Sequence, residues 1–188
     1  ERLSTEGTEF TSSHELGRLL GVSSAQIRKD LSNCGGFGKQ GTGYHIAYLK
    51  EQLRQVLKVE RDWKVALVGA GDLGSAVARY RGFAERGFHI TCVFDSAPGR
   101  IGKQVGPFSI QPMSELRETI HAQGIRIAMI TVPAEFAQDV ANHLVEAGVL
   151  AILNYAPINL KTPVNVRVQY IDPVLHLQRM TYYLPEAT

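Results

Sequence analysis

The sequence predicts an α/β protein made of an N-terminal winged helix-turn-helix and a doubly wound Rossmann domain. Three observations carry this prediction. Residues 65–74 join a short apolar run to the glycine pattern G-x-G-x-x-G, residues 96–170 alternate strand-like and helical runs, and residues 11–48 hold two capped helical segments before a glycine-dense stretch. Alternation of strands and helices favours a parallel sheet with helices on both faces.

The composition predicts a soluble, cytoplasmic protein with one small and one medium-sized domain. Of 188 residues, 44% are hydrophobic and 20% are charged. We find no secretory h-region and no apolar run of the roughly 20 residues that a membrane helix needs. Cys34 and Cys92 lack metal-ligand spacing, so we expect reduced thiols and no metal site. The net charge of +2 is too small to indicate a polyanionic partner by itself.

Residues 11–31 have the pattern of two short helices joined by a turn. Ser12 is followed three residues later by Glu15, and Ser23 by Gln26, which are capping-box arrangements, and Gly21 lies between the two runs. The apolar faces of the two helices consist of Leu16, Leu19, Leu20, Val22, Ile27 and Leu31. This pattern predicts a helix-turn-helix.

The second of these helices carries polar and basic side chains on its outer side. They are Ser24, Gln26, Arg28 and Lys29. Such residues read base edges or bind phosphates when a helix enters the major groove. A helical hairpin with a solvated polar face has the same pattern, and the residues that follow favour the DNA-binding interpretation.

Glycine is dense in residues 35–48, where the pattern predicts a β-hairpin, or wing. Lys39 lies near its tip with Gln40 beside it, and alternating residues lead to Tyr44, Ile46 and Tyr48. A wing next to a helix-turn-helix is typical of DNA-binding modules in which a lysine contacts phosphate. Residues 49–57 then form an amphipathic helix, and the charged residues 58–62 join the two domains.

Residues 64–95 predict a dinucleotide-binding unit of strand, turn, helix and strand. The strand at residues 65–68 stops at a glycine turn that opens a helix. Gly69 allows the sharp turn, Gly71 lets a pyrophosphate approach the backbone, and Gly74 lets the helix pack on the strand. The free N–H groups and the dipole at the helix N-terminus then stabilise phosphate charge.

The helix after the glycine turn is expected to cover the sheet and to end at Gly87. Its predicted apolar stripe consists of Leu73, Ala76, Val77 and Tyr80. Asp95 closes the next strand, residues 89–94, and its carboxylate suits the ribose hydroxyls of an adenosine, which favours NAD(H) over NADP(H). A glycine-rich turn without a ligand is the alternative interpretation.

Beyond Asp95 we expect strands at residues 104–110, 125–132, 149–153 and 164–170, with helices at residues 114–123, capped by Ser114, and 136–147. Ligands of such sheets lie beyond the carboxyl ends of the strands. Two strand-ending stretches are therefore candidate walls of a nicotinamide pocket, or else ordinary turns: Thr131, Val132 and Pro133, and Asn154, Tyr155, Ala156 and Pro157.

Asp172 and Pro173 open a final helix that is predicted to run to about Leu184. Its apolar residues occupy more than one face, namely Val174, Leu175, Leu177, Met180, Tyr183 and Leu184. A terminal helix of this kind needs cover on two sides, so we expect it to pack against a second subunit.

The motifs QIRKDLS, GGFGKQGTGY, VGAGDLG, FD, TVP and NYAP, with the terminal pattern VL-x-L-x-x-M-x-Y-Y-L, resemble those of the Rex family of redox-sensing transcriptional repressors over essentially the whole chain. The resemblance implies a homodimer that binds palindromic operator DNA, senses the NADH/NAD+ ratio and is released from DNA by NADH. The resemblance thus implies a regulator and not an enzyme. It also implies a domain-swapped terminal helix and a further helix preceding Glu1.

The resemblance further implies roles for individual residues. Gln26, Arg28 and Lys29 lie on the recognition helix, and Lys39 and Gln40 on the wing. The pyrophosphate is held by Gly69, Ala70, Gly71, Asp72 and Leu73, and the adenosine ribose by Asp95. The nicotinamide end is bounded by Thr131, Val132, Pro133, Asn154, Tyr155, Ala156 and Pro157.

We therefore expect three parts: a DNA-binding domain at residues 1–60, an NAD(H)-binding domain at 61–170, and a dimerisation helix at 171–188. The alternative is an NAD-dependent oxidoreductase with an N-terminal accessory module. Its candidate acid or base residues, Tyr155, Lys161 and His176, form no recognisable catalytic spacing.

Overall fold

The computed structural model describes residues 2–34, 43–57 and 61–184. The chain divides into two compact units, Glu1–Arg61 and Asp62–Thr188. Within the described residues, no helix is long and apolar enough to cross a membrane.

The N-terminal unit consists of short helices and a two-stranded sheet. Its elements are α1 (Arg2–Thr5), β1 (Phe10–Thr11), α2 (Ser13–Leu20), α3 (Ser24–Cys34), β2 (Tyr44–His45) and α4 (Ile46–Val56). Strand β1 pairs antiparallel with β2, and Phe10 lies opposite His45. Lys39, Gln40 and most of the predicted wing, residues 35–42, lie outside the described residues.

The predicted alternation at the end of the wing is wrong after His45. Ile46 and Tyr48 belong to α4, which begins at Ile46 and not at residue 49. The reason is a local cap, because Nδ1 of His45 accepts a hydrogen bond from the Tyr48 N–H. The partner of β2 is β1, a strand that the sequence analysis missed.

Both predicted serine caps are present. The Ser12 hydroxyl accepts from the Glu15 N–H and the Ser23 hydroxyl from the Gln26 N–H, each at 3.1 Å. Gly21 ends α2 in the left-handed conformation with φ of 69°. The caps fix where α2 and α3 begin, and therefore the turn between them.

The predicted apolar face of the helix pair is only partly buried. Ile27 is buried with Ile46 and Leu49 of α4, whereas Leu19 and Leu20 are exposed. The residue of α2 that packs most closely is Gly17, where a Cβ would lie 2.6 Å from the Val22 carbonyl oxygen. Leu16, Leu19 and Leu20 instead line an open groove together with Ile46 and Leu49 of α4, which leaves Leu19 and Leu20 accessible to solvent.

The second unit is a seven-stranded sheet with helices on both faces. Its strands are β3 (Trp63–Val68), β4 (Phe88–Asp95), β5 (Gln104–Val105), β6 (Phe108–Pro112), β7 (Ile127–Ile130), β8 (Ala151–Asn154) and β9 (Arg167–Tyr170). Its α-helices are α5 (Asp72–Arg79), α6 (Leu116–Gln123), α7 (Ala134–Glu146) and α8 (Pro173–Thr181). The strand order is β5-β6-β4-β3-β7-β8-β9, and only β5 is antiparallel to its neighbour.

Apolar side chains of the helices cover both faces of the sheet. Leu116, Ile120 and Leu144 from α6 and α7 form one cluster with strand residues, and Val77 and Ala78 from α5 belong to a second cluster. Full burial of a leucine or isoleucine contributes about 1.5–3 kcal/mol. Cys92 lies in the first cluster, and burial raises the pKa of its thiol to about 11, which keeps it protonated.

Helix α5 differs from the prediction in its length and its buried face. It ends at Arg79, Tyr80 adopts an extended conformation, and a 3₁₀ helix (Arg81–Arg86) leads to Gly87. Val77 is buried as predicted, but Leu73, Ala76 and Tyr80 are exposed. The buried face is centred on Gly74, Val77 and Ala78, because close packing at Gly74 rotates that side of the helix toward the sheet.

The predicted strand at residues 104–110 is a hairpin of β5 and β6, which turns at Gly106 with φ of 57°. The predicted Ser114 cap is also wrong. A short 3₁₀ helix (Met113–Glu115) without a side-chain cap precedes α6. Strands β7, β8 and β9 are shorter than their predicted ranges.

The terminal helix α8 begins as predicted and ends earlier. The Asp172 carboxylate accepts hydrogen bonds from the N–H groups of Val174 and Leu175, and Pro173 is the first helical residue. The helix ends at Thr181. The apolar side chains of α8 and of the three residues after it are more than half exposed in the single chain: Val174, Leu175, Leu177 and Met180, and then Tyr182, Tyr183 and Leu184.

Candidate functional site

The glycine turn between β3 and α5 has the geometry of a phosphate-binding loop. Gly69 has φ of 101°, and a Cβ there would lie 2.8 Å from the Thr131 carbonyl oxygen. A Cβ at Gly74 would lie 2.8 Å from Thr131 Oγ1. At Gly71, by contrast, the nearest described atom is Arg100 Nη2, 4.0 Å away. The turn is therefore closed against the protein at Gly69 and Gly74 and open at Gly71.

Two hydroxyl groups brace this turn from its ends. Thr131 Oγ1 lies 2.8 Å from the Gly69 carbonyl oxygen and 3.1 Å from that of Val68. Ser75 Oγ donates to the Ala70 carbonyl oxygen at 3.1 Å. The first-turn N–H groups of α5 have no carbonyl partner within the helix, so they can bind an anion at the open side.

Asp95, at the carboxyl end of β4, is 5% exposed and connects three parts of the site. Its Oδ2 accepts from the Ala70 N–H at 2.7 Å and from Arg100 Nη1 at 3.3 Å, and its Oδ1 accepts from the Ala97 N–H at 2.8 Å. Burial acts to raise the pKa of Asp95. The hydrogen bonds from Ala97 and Ala70 and the positive charge of Arg100 outweigh burial and hold that pKa below its ordinary value. The carboxylate is therefore ionised at neutral pH.

One cleft of about 660 Å³ joins the glycine turn to the ends of β4 and β7. Of the residues predicted to bind cofactor, it is lined by Gly69, Gly71, Asp72, Asp95, Thr131, Val132 and Pro133. Its volume, its open glycine turn and its buried acid suit a dinucleotide.

Sequence reasoning missed the wall of the cleft that α7 provides. Phe136, Val140 and His143 line the cleft, as does Met113 from the segment after β6. Their spacing of four and then three residues puts the α7 side chains on one face of the helix. That spacing was visible in the sequence, but it indicates only a helix face and not what the face covers.

The predicted second wall, residues 154–157, does not line this cleft. Asn154 is completely buried, its Nδ2 donates to the carbonyl oxygens of Ala156 and Ile158, and its Oδ1 accepts from the Ala156 N–H. The Asn154 side chain thus shapes the loop after β8. Burial raises the pKa of the neighbouring Tyr155 hydroxyl.

The far end of this loop is fastened to α7 by a side-chain amide. Gln138 Oε1 accepts from the Lys161 N–H at 2.8 Å, and Gln138 Nε2 donates to the Lys161 carbonyl oxygen at 3.0 Å. The Tyr170 hydroxyl accepts from the Leu160 N–H at 3.0 Å. Residues 155–161 are therefore held at both ends.

The polar side of α3 is exposed in the N-terminal unit, and some of its side chains have partners. Gln26 Nε2 donates to Asp30 Oδ1 at 2.6 Å, and Arg28 Nη1 donates to Ser13 Oγ at 3.1 Å. Gln26, Arg28 and Lys29 are exposed, and Ser24 is half-buried. The bond to Ser13 orients Arg28 at the N-terminus of α2.

No group of three or more His, Cys, Asp or Glu side chains in the described part of the chain could hold a metal ion. The described hydrogen bonds and ion pairs do not join the side chains of Tyr155, Lys161 and His176 to one another.

Curated relatives resemble the chain along nearly its whole length. It is 51% identical over 179 residues to the redox-sensing transcriptional repressor Rex of Roseiflexus sp. (strain RS-1), which covers 95% of this chain and 81% of the relative. It is 44% identical over 183 residues to redox-sensing transcriptional repressor Rex 1 of Thermotoga maritima, which covers 97% of this chain and 87% of the relative.

Solved structures of RSP, a Rex-family repressor, also match nearly the whole length of the chain. The complex of RSP with NAD+ and operator DNA has a TM-score of 0.89 at 34% identity and covers 96% of this chain and 83% of that chain. The complex of RSP with NADH has a TM-score of 0.87 at 31% identity, with coverage of 96% and 84%.

The fold and the cleft define a Rossmann-type nucleotide-binding protein that carries an N-terminal helix-turn-helix unit. In agreement, a family model described as "CoA binding domain" matches residues 60–158, and one described as "Putative DNA-binding protein N-terminus" matches residues 1–32. The chain belongs to the Rex family of redox-sensing transcriptional repressors. The doubly wound Rossmann fold and the family resemblance predicted from the motifs are both confirmed.

Proposed function

We propose that this protein is a transcriptional repressor that binds operator DNA as a homodimer and leaves it when NADH occupies the Rossmann cleft. It thereby senses the NADH/NAD+ ratio. The observation that carries the proposal is the presence, in one Rex-family chain, of exposed Arg28 and Lys29 on α3 and of a cleft with an open Gly71 and a buried, ionised Asp95.

The cofactor assignment follows from charge and space. A diphosphate needs close approach to backbone N–H groups, and the turn is open at Gly71. The ionised Asp95 carboxylate can accept from ribose hydroxyls through its remaining lone pairs, and it repels a 2′-phosphate, so NAD(H) is favoured. RSP, the structural relative, was solved with NAD+ and with NADH.

The DNA assignment depends on α3. Its N-terminus is fixed by Ser23, and its exposed Gln26, Arg28 and Lys29 supply a base-reading amide and two cations. Lys39 and Gln40 of the wing are proposed as further contacts. RSP was solved on operator DNA as well.

The homodimer assignment depends on α8. Leu177 and Met180 are 61% and 63% exposed in the single chain, and a helix with apolar side chains this exposed requires a partner surface. We propose that α8 exchanges between two subunits and covers these side chains. A two-fold dimer then presents two copies of α3 to two half-sites of a palindrome.

NADH acts on this dimer by shifting its population of arrangements. It can favour the arrangement that does not fit DNA only by as much as it binds that arrangement more tightly. We assign no catalytic role to Tyr155, Lys161 or His176.

The proposal is tested by titrating the protein into the labelled operator duplex that RSP binds, and then adding NADH or NAD+ to the complex. We expect a complex at fixed salt that NADH dissolves at a lower concentration than NAD+. The Gly71→Leu variant fills the open side of the turn, so its complex should resist NADH. A chain that binds NADH tightly but binds no operator would contradict the repressor function, and a Gly71→Leu complex released at the parental NADH concentration would contradict the site.

A further inference from the structure

We propose that His143 selects the adenine base of the dinucleotide by accepting a hydrogen bond from the exocyclic amino group through Nε2. The inference rests on the proposed function, because it names a specificity contact in the same cleft. It concerns a side chain on α7 to which neither the motifs nor the glycine turn assigned a role.

The tautomer of His143 follows from its one described hydrogen bond. Nδ1 of His143 lies 2.8 Å from the backbone carbonyl oxygen of Asp139. A carbonyl oxygen can only accept, so Nδ1 carries the proton and donates. In the neutral ring, Nε2 is then left with a lone pair and acts only as an acceptor. In the neutral ring, the helix backbone therefore fixes that Nε2 binds a donor group of a ligand.

The position of His143 places that acceptor near the base. The cleft that His143 lines also contains Asp95, the proposed ribose ligand. The base is attached to that ribose, so it lies in the same cleft, next to the carboxyl end of β4. His143 shares one face of α7 with Phe136 and Val140, and their apolar side chains suit the flat face of a purine.

The chemistry of adenine matches this wall. Adenine offers an amino group, which is a donor, at the edge remote from the ribose. Hypoxanthine carries an acceptor carbonyl at the same place. An acceptor-only nitrogen therefore favours adenine over hypoxanthine. The carboxylate of Asp139 also lines the cleft and is the competing acceptor on this part of α7.

The test compares NADH with reduced nicotinamide hypoxanthine dinucleotide, which has a carbonyl in place of this amino group and an N–H donor at the adjacent N1. Binding of each to the full chain is measured at pH 8 by fluorescence of the reduced nicotinamide. We expect the parent chain to prefer NADH by roughly fivefold to tenfold, the range of one solvent-accessible hydrogen bond. His143→Leu should remove most of that preference, and His143→Gln, which can present an amide oxygen, should restore part of it.

His121→Leu on α6 is the matched control, because His121 is an exposed helix residue that does not line the cleft. It should keep the parental preference. A His143→Leu protein that still prefers NADH by the parental factor overturns the proposal. Loss of the preference in Asp139→Asn but not in His143→Leu overturns it also and assigns the contact to Asp139.

The proposed function and the His143 contact are contradicted by different results. If the parent chain binds neither dinucleotide, the proposed function fails and the His143 contact fails with it. If the chain binds NADH and the hypoxanthine analogue equally, the NADH site stands and only the His143 assignment is lost.

Discussion

The Asp95 carboxylate accepts a 2.7 Å hydrogen bond from the backbone N–H of Ala70, which ties the end of β4 to the glycine turn after β3. The acid that is proposed to bind ribose therefore also holds the phosphate loop in place. Ribose binding and loop geometry are coupled through this one side chain, and a substitution at Asp95 affects both.

Asp95→Asn should weaken NADH binding and change how stability depends on pH. The folded-state pKa of Asp95 is lowered, so the carboxylate contributes stability above its ordinary pKa of about 3.9 and loses it as pH falls through the lower folded value. The parent and Asp95→Asn should therefore differ most in free energy of unfolding above about pH 5. Urea unfolding of both proteins from pH 7 to pH 3 measures the difference.

Asp95→Ala removes the acceptor altogether and leaves the N–H groups of Ala70 and Ala97 without it. We expect a loss of about 2 kcal/mol in unfolding free energy at neutral pH. For the Asp95→Asn variant of the preceding paragraph, the opposite result would be a difference in unfolding free energy from the parent that widens toward pH 3. That result would contradict the assigned direction of the pKa shift.

Arg28→Ala and Lys29→Ala should weaken operator binding without affecting NADH affinity. Both side chains are exposed on α3, and the bond from Arg28 to Ser13 limits the conformations of Arg28. A side chain that binds a phosphate should, when removed, reduce the slope of log K against log salt by about 0.9. Titration of labelled operator at several salt concentrations gives that slope.

Arg117→Ala is the matched control for these variants, because Arg117 is an exposed arginine of α6 in the other unit. Its removal lowers the net charge equally and should leave operator affinity close to the parental value. Equal losses of affinity in Arg117→Ala and Arg28→Ala would show a general effect of charge and no recognition by α3.

The sequence predicts the centre of the site better than its walls. Gly69 could be predicted because a sharp strand-to-helix turn needs positive φ, and Asp95 because its distance from the turn is fixed by one helix and one strand. The α7 wall could not be predicted. Phe136, Val140 and His143 indicate a helix face, but only the strand order places that face on the cleft.

The prediction for α5 was wrong where local packing overrode a helical pattern. The stripe from Leu73 to Tyr80 has the correct spacing, but the Tyr80 ring packs edge-on against Phe83 with a centroid distance of 5.1 Å. The ring also occupies the space beside Gly82.

The hairpin of β5 and β6 could have been predicted from the sequence. Gly106-Pro107 is a turn dipeptide, and it argues against one continuous strand over residues 104–110.

Gln138→Leu should lower NADH affinity several-fold by releasing the loop after β8. The amide of Gln138 makes two hydrogen bonds to the backbone of Lys161, so its removal frees one end of residues 155–161. This loop contains Tyr155, Ala156 and Pro157, which the family resemblance places at the nicotinamide end although they do not line the described cleft. With the hydrogen bond from Gln138 Nε2 to Asn142 Oδ1, the substitution removes three hydrogen bonds, which should also cost about 1–3 kcal/mol of unfolding free energy.

Gln138→Glu separates the two bonds, because the carboxylate can still accept from the Lys161 N–H but cannot donate to the Lys161 carbonyl oxygen. We expect an NADH affinity between those of the parent and Gln138→Leu. Fluorescence titration with NADH measures it. If Gln138→Leu binds NADH as tightly as the parent, the hydrogen bonds from Gln138 to Lys161 do not contribute to cofactor binding.

Leu177→Asp on α8 should convert the proposed dimer into monomers and abolish operator binding. Leu177 and Met180 lie one helical turn apart on α8, and Leu184 follows shortly after the helix ends. All three are more than 60% exposed in the single chain, so a dimer that covers them would bury the new carboxylate. Light scattering after gel filtration measures the molar mass, and operator titration measures the loss of binding.

Gln178→Asp is the control, because it places the same charge on a polar position of the same helix and should remain dimeric. If Leu177→Asp is also a dimer, α8 is not the element that joins the subunits. If it is a monomer that binds operator as tightly as the parent, the two-fold arrangement of α3 is not required for recognition.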